Sequence, residues 1–132
     1  MKYVAVEGMT IAYTAELEGV PIGAAVVEAT PGAASENVKV DDSGVYRDGL
    51  KLTATAWSVT ANGQEYAGGG SVQGTFSSTA KKVLVDGEKI LLQGDEASFS
   101  VEATNIAVPA DTRTFDITAK IVSAGQTLIK AE

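Results

Sequence analysis

The chain has 132 residues, 45% hydrophobic but only 6% aromatic, with a formal net charge of −7 and neither cysteine nor histidine. That length and apolar content suit one domain with a modest core, and the acidity removes the basic footprint that nucleic acid demands and disfavours docking on anionic lipid. Without thiols or imidazoles there is no disulfide framework, no common zinc site, no Cys–His or Ser–His nucleophile and no histidine pH switch.

Met1–Gly8 lacks the apolar run of a secretory signal, and no window approaches the length of a membrane-spanning helix. Fourteen glycines against three prolines point to many tight turns. Lys2–Val6 and Thr10–Leu17 read as strands parted by Glu7-Gly8; in the second, Ile11, Tyr13, Ala15 and Leu17 share one face at a period of two. Glu18-Gly19 marks a turn. Ala24–Ala29 fits either a strand or a single helical turn, and Thr30-Pro31-Gly32 breaks the chain. Asn37–Val40 reads as a strand, Asp41–Gly44 as a turn and Val45–Arg47 as the returning arm, closed by Asp48-Gly49.

From Leu50 the residues alternate, but Leu50, Leu52, Ala54 and Ala56 take one parity while Trp57 and Val59 take the other. A strand cannot change face without an extra residue, so a bulge or bend is expected near Ala56–Trp57. Trp57, the only tryptophan, is the expected core plug. Asn62-Gly63 turns the chain into Glu65–Tyr66. Gly68–Gly70 reads as a hinge before a short strand over Ser71–Phe76, and a hairpin follows. Its arms are Val83–Val85 and Ile90–Leu92, and its Asp86-Gly87 turn accepts the positive φ values that such a turn needs; Gly94-Asp95 ends it. Ser98–Ala103, Thr114–Ser123 and Thr127–Lys130 complete the strands, with a turn over Val108–Asp111. No amphipathic helix is evident, so the fold class is all-β.

Ser35–Leu50 and Ala80–Asp95 align as two copies of one unit. Val38 meets Val83, Val40 meets Val85, Asp41 meets Asp86, Val45 meets Ile90 and Gly49 meets Gly94. A repeated unit of this size implies one supersecondary element used more than once. Lys120–Lys130 reads as a weaker third echo, which would make a compact cone or a pseudo-threefold, β-prism-like body of short strands and tight hairpins.

The pattern resembles the PAAR and PAAR-like spike-tip family of contractile phage tails, type VI secretion systems and related injection machines. Gly70-Ser71-Val72-Gln73-Gly74 matches the glycine-led strand, Ser77-Ser78 the small-residue step, Val83-Leu84-Val85-Asp86-Gly87 the hairpin and Gly94-Asp95 the ending, over a repeat core of about 33–95. The first copy departs in ending Asp48-Gly49-Leu50, with Asp41 and Gly44 at its turn. The family's zinc ligands are histidines and cysteines, which this chain lacks, so neither metal nor other cofactor is carried over. What the resemblance implies is a structural tip protein. One copy would cap a trimeric β-helical spike of the VgrG-like or phage type, sharpening it for envelope piercing, with effector cargo as a further partner the family allows. The particle would assemble in the cytoplasm and be delivered outward.

The residues alone leave a second reading open: a β-sandwich binding or structural module for carbohydrate or another surface. An enzyme would need paired carboxylates such as Glu88 with Asp95, or Asp111 with Asp116, converging in a cleft; the spacing argues for neither pair, so no catalytic residue is expected.

Overall fold

The computed structural model describes all residues from Met1 to Glu132. Twelve strands and no helix make up the fold: β1 (Lys2–Tyr3), β2 (Thr10–Leu17), β3 (Val20–Pro31), β4 (Lys39–Val40), β5 (Ser43–Gly44), β6 (Lys51–Ala61), β7 (Gln64–Ser77), β8 (Leu84–Val85), β9 (Glu88–Lys89), β10 (Glu96–Asn105), β11 (Thr112–Ser123) and β12 (Lys130–Ala131). The six long strands close into an antiparallel barrel in the order β10-β11-β2-β3-β6-β7. The six short ones pair as three small hairpins, β4–β5, β8–β9 and β12–β1. The class is therefore all-β, built as a closed barrel with a three-hairpin cap and not as the two face-to-face sheets of a sandwich.

Hairpin and barrel segments alternate along the chain, and an equivalent crossing strand leads out of each hairpin. Val4-Ala5-Val6, Val45-Tyr46-Arg47 and Ile90-Leu91-Leu92 meet through the bridges Val4–Leu92, Val6–Val45 and Arg47–Ile90. Their central residues bond head to tail in a closed ring: Tyr46 N–H donates to Ala5 O (3.0 Å), Leu91 N–H to Tyr46 O (3.0 Å) and Ala5 N–H to Leu91 O (2.9 Å). Beyond the ring each segment turns in the same way. Met9, Leu50 and Asp95 donate to Val6, Arg47 and Leu92, while Glu7, Asp48 and Gln93 donate to Gly44, Lys89 and Tyr3. Gly8, Gly49 and Gly94 sit at equivalent corners with φ of 94°, 83° and 100°, where a side chain would be strained. The pseudo-threefold of ring and cap thus draws on segments from Lys2 to Ala131, not only on 33–95.

Alternation through the ring divides the core in two. Ala5, Tyr46 and Leu91 point into the barrel and join its cluster with Leu52, Trp57, Tyr66, Phe76, Phe99, Phe115, Ile117 and Ile121. Val4, Val6, Val45, Ile90 and Leu92 point the other way and pack beneath the hairpins with Val85, Ala80 and Ala131. Small barrels are filled by such side chains, leaving no channel. The β2–β3 wall is the thin side: only Ala15 and Ala25 are fully buried there, and Ile11, Tyr13, Leu17, Ile22 and Val27 are half-buried.

Several sequence expectations change here. Ala24–Ala29 is part of strand β3, whose pairing with β2 slips next to Pro21, a position that needs no amide donor. The turn of the first cap hairpin is Asp41-Asp42, both with positive φ (52° and 68°). Gly44 therefore lies in β5 and not in the turn; it is small because a Cβ there would collide with Ser35 O. Ile90–Leu92 leave their hairpin for the ring, since β9 ends at Lys89. Lys120–Ser123 belong to β11, so the third echo over Lys120–Lys130 is not a hairpin. The third hairpin joins the two ends of the chain, Lys2 opposite Ala131 and Tyr3 opposite Lys130.

Gly68–Gly70 is not a hinge but the middle of continuous β7, and Gly70 and Gly74 lie within that strand. β6 is bulged between Ala54 and Ala56, where the inward face changes parity as the residue pattern requires. The bulge turns Trp57 inward to 5% exposure. Its indole N–H crosses Gly68 and donates to Glu102 O on β10 at 2.8 Å. There β7 and β10 are out of register, pairing at Ser98–Thr75 and again only at Thr104–Ala67. The indole substitutes for the missing ladder bond.

A Cβ on Gly68 would lie 2.5 Å from both the Trp57 nitrogen and Glu102 O, so Gly68→Ala must break that bond and displace the ring. The expected loss is about 2–4 kcal/mol, read as a lower urea midpoint at unchanged slope, with a shifted Trp57 emission. Gly32→Ala, whose Cβ would make only ordinary contacts at 3.5 Å, is the control and should move the midpoint little.

Candidate functional site

The two ends of the barrel differ in how far they keep the threefold plan. At the cap end, Val45, Ile90 and Val4 N–H donate to Val38, Val83 and Ile129 O, which makes those three acceptor residues structurally equivalent. All three are large aliphatics left in solvent, 39%, 41% and 48% exposed. Leu84 and Leu128 beside them are exposed as well. At the opposite end the barrel hairpins close by unequal means: two-residue turns at Glu18-Gly19 and Asn62-Gly63, but a long loop from Ile106 to Asp111.

Backbone and carboxylate hydrogen bonds tie the cap together. The Asp86 carboxylate, at the tip of β8–β9, accepts from Ser35 Oγ (2.8 Å), Asn37 Nδ2 (3.3 Å) and Arg47 Nη1 (3.2 Å), tying one hairpin to the shoulder of the next. Lys81 N–H donates to Glu132 O at 2.9 Å, the corresponding tie for the terminal hairpin. Beneath them Asp95, 1% exposed, accepts from the Leu92 amide (2.8 Å) and from the Thr79 hydroxyl and amide. The Asp48 carboxylate accepts from the Ser78 amide at 2.7 Å, and Glu7 Oε1 from the Gly44 amide at 2.9 Å. A buried carboxylate satisfied by amide donors fixes a backbone corner without needing a cation.

The sequence-expected residues lie at turns, corners and strand crossings. Asp86 and Gly87 occupy the hairpin turn (φ of 52° and 82°) and Gly49 and Gly94 the ring corners; Asp41 begins the first hairpin turn, and Asp95 anchors a corner. The members of each carboxylate pair stand in different surroundings. Glu88 is exposed in β9 while Asp95 is buried. Asp111 is engaged by Tyr66 and Arg113, and Asp116 separately by Ser100. No group of three or more histidine, cysteine, aspartate or glutamate side chains is arranged to hold a metal ion. The long loop is pinned by Tyr66 Oη donating to Asp111 (2.6 Å) and Arg113 Nε donating to it (3.0 Å).

Sequence reasoning missed the N-terminal member of the ring. Its signal was present: Val4-Ala5-Val6-Glu7-Gly8 matches Val45-Tyr46-Arg47-Asp48-Gly49 and Ile90-Leu91-Leu92-Gln93-Gly94 position by position. No family model, curated protein or solved structure matches the chain.

Two exposed-rim carboxylates respond to pH in a defined direction. Hydrogen bonds from Ser35 and Asn37, then the Arg47 charge, hold Asp86 below the usual aspartate range; Tyr66 and Arg113 do the same for Asp111. A carboxyl group whose folded pKa is depressed stabilises above its unfolded pKa, and that stability drains away as pH falls through the folded value. Asp86→Asn keeps the size and tolerates the positive φ but removes the charge. The variant should be less stable than the parent at neutral pH, and the two urea midpoints should converge as pH drops through and below the ordinary aspartate range. A gap unchanged by acid would mean that the carboxylate charge contributes nothing.

Proposed function

We propose that this chain is the tip of a threefold-symmetric spike in an injection particle, a PAAR-like cap that works by shape and stiffness. The observation that carries the reading is the triad Val38, Val83 and Ile129: three exposed aliphatics at equivalent positions on the one end of the barrel that keeps its threefold plan. A single chain with an internal threefold can meet three identical subunits with three similar contacts, one cap to one trimer, as an isologous dimer surface could not. The blunt end of a β-helical spike has strand edges and apolar side chains that require cover. The filled barrel, the carboxylate-anchored corners and the closed backbone ring supply the rigidity such a cap needs, with no catalytic step.

Covering the remaining exposed part of three Val or Ile side chains recovers about 2–3 kcal/mol in all. That is too little alone for a lasting complex, so the triad would supply register and part of the affinity, and backbone and rim contacts the rest.

Mixed with the trimeric spike of its own particle, the protein should form a complex of one chain per trimer, read as mass by light scattering. The triple variant Val38→Asp/Val83→Asp/Ile129→Asp, whose positions are already solvated, should remain folded and lose most of that binding. A chain that stays monomeric beside the trimer, or a triple variant that binds as well as the parent, would sink the reading.

A further inference from the structure

The internal threefold provides a control inside the molecule for any feature present in only one lobe. One such feature is the acid-free lining of an open groove of about 520 Å³ between the terminal hairpin and the end of β11, which includes Lys2, Tyr3, Gln93, Lys120 and Lys130; the smaller groove at the equivalent place in the sister lobe, about 230 Å³, is lined by Asp48 and Glu88 together with Arg47 and Lys51. The Lys130 ammonium stands 4.7 Å above the Tyr3 ring, which orients it. The Lys2 ammonium lies over Gly94, 3.5 Å from where a Cβ would be. None of the three lysines takes part in an ion pair; the ion pairs of the structure are Arg47–Asp86 and Arg113–Asp111.

The sister lobes are built differently at the same places. Strand register makes Lys2 equivalent to Glu88 and Ser43, and Lys130 to Leu84 and Lys39. The ring turns make Gln93 equivalent to Asp48 and Glu7. Gly94 N–H donates to Ile121 O as Gly49 N–H does to Phe76 O, so Lys120 corresponds to Thr75. One lobe thus gathers Lys2, Lys120, Lys130 and a neutral amide where its neighbour has two acids, a threonine and a leucine, with Lys89 in the place of Tyr3; the third lobe keeps Lys39 in the place of Lys130. The backbone is the same in both, so the fold does not require this charge. In a chain of net charge −7, three ammonium groups without an ion-pair partner converge on one groove; Glu96, opposite Lys120 in the strand register, makes no ion pair with it, and the local field favours an added anion.

We infer that this groove binds a multiply charged oxyanion of the phosphate class, either as a free phosphate compound or as a phosphomonoester headgroup. Lys2, Lys120 and Lys130 supply the charge, and the Gln93 amide and Tyr3 hydroxyl supply neutral donors. Every polar side chain lining the groove can donate a hydrogen bond and none carries negative charge, which selects an acceptor-rich anion over a cation or a neutral ligand. The inference does not rest on the spike-tip reading.

Titration with inorganic pyrophosphate, followed by amide NMR, should shift Tyr3, Gln93, Gly94 and Val122. The affinity should fall steeply with added salt. The variant Lys2→Gln/Lys120→Gln/Lys130→Gln should weaken it by about tenfold or more, and the three single variants by part of that. Lys39→Gln/Lys51→Gln/Lys89→Gln changes net charge equally away from the groove and should bind as the parent does. A parallel arm uses phosphatidylcholine vesicles with and without phosphatidic acid. Retention only by phosphatidic acid, lost in the groove variant, identifies a headgroup as the source, and a response to soluble pyrophosphate identifies a free anion. Silence of the groove amides in both arms overturns the inference, as does an equal loss in the control variant. All three groove lysines are exposed, so each variant should match the parent in circular dichroism.

Discussion

Everything in this fold hangs on a ring of three backbone hydrogen bonds in which Ala5, Tyr46 and Leu91 each donate to one neighbour and accept from the other. A crossing strand alone would leave its amide and carbonyl unsatisfied in the centre of a protein, at a cost of about 1–3 kcal/mol each. Closing three of them on one another removes that cost at once, which no pair could do with the same geometry. The ring also acts as a floor between two cores. Side chains on one side fill the barrel, and those on the other seat the hairpins. Its three central residues differ in bulk, Ala, Tyr and Leu, because the backbone is threefold while the barrel beneath it, with one thin wall, is not. Burial pushes the Tyr46 hydroxyl pKa up, with the nearby Glu7 carboxylate adding to the effect, so the ring that fills the most space stays neutral in the barrel.

What was legible in the residues followed from local rules. The Asp86-Gly87 and Asn62-Gly63 turns, the parity change that forces a bulge before Trp57, and the equivalence of Val45 with Ile90 and Gly49 with Gly94 each depend on neighbours along the chain. What was not legible depended on closure. Long strands read as short ones because Gly68-Gly69-Gly70 looks like a break, whereas in space the glycines admit the Trp57 indole and the Glu102 carbonyl. The third hairpin was sought in Lys120–Lys130, since a hairpin is ordinarily continuous in sequence; here its two arms lie at opposite ends of the chain. Gly44 was read as a turn glycine because Asp-Asp is an unusual occupant of two successive positive-φ positions. Nothing local reveals that the glycine is needed for the approach of Ser35 O.

Charge is distributed along the axis as unevenly as symmetry is. Lys2, Lys39, Lys81, Lys82, Lys89 and Lys130 on the cap hairpins or the segments entering them are offset there by Glu36, Asp41, Asp42, Asp86, Glu88 and Glu132, while on the barrel strands Glu16, Glu28, Glu65, Glu96, Glu102 and Asp116 outnumber Lys51, Arg113 and Lys120. The acidic wall keeps a β-rich body apart from its own kind, and closure of the barrel leaves no long free edge to template association. The cap, with fewer unbalanced acids and with its exposed aliphatics, lacks that protection. An end whose charges of both signs offset one another and whose aliphatics stand in solvent is the end where contact with another surface costs least.

The three lobes share backbone far more closely than side chains, and that separates what the fold needs from what it merely permits. Corner glycines, ring hydrogen bonds and anchoring carboxylates or amides recur because removing any one would leave a donor orphaned or a dihedral strained. The exposed aliphatics at Val38, Val83 and Ile129 also recur, each one residue ahead of a cap strand and 39%, 41% and 48% exposed, where a polar side chain would cost less to leave in water. Conversely, the cations of the terminal lobe do not recur as a set, since among the equivalents named above only Lys39 is a lysine, although the scaffold would hold them equally well elsewhere. Recurrence of solvent-exposed aliphatics suits a threefold partner, and a singular feature on a repeated scaffold suits a ligand met once. Both arguments use the same comparison of lobes, and they point to different faces of one small, stiff body.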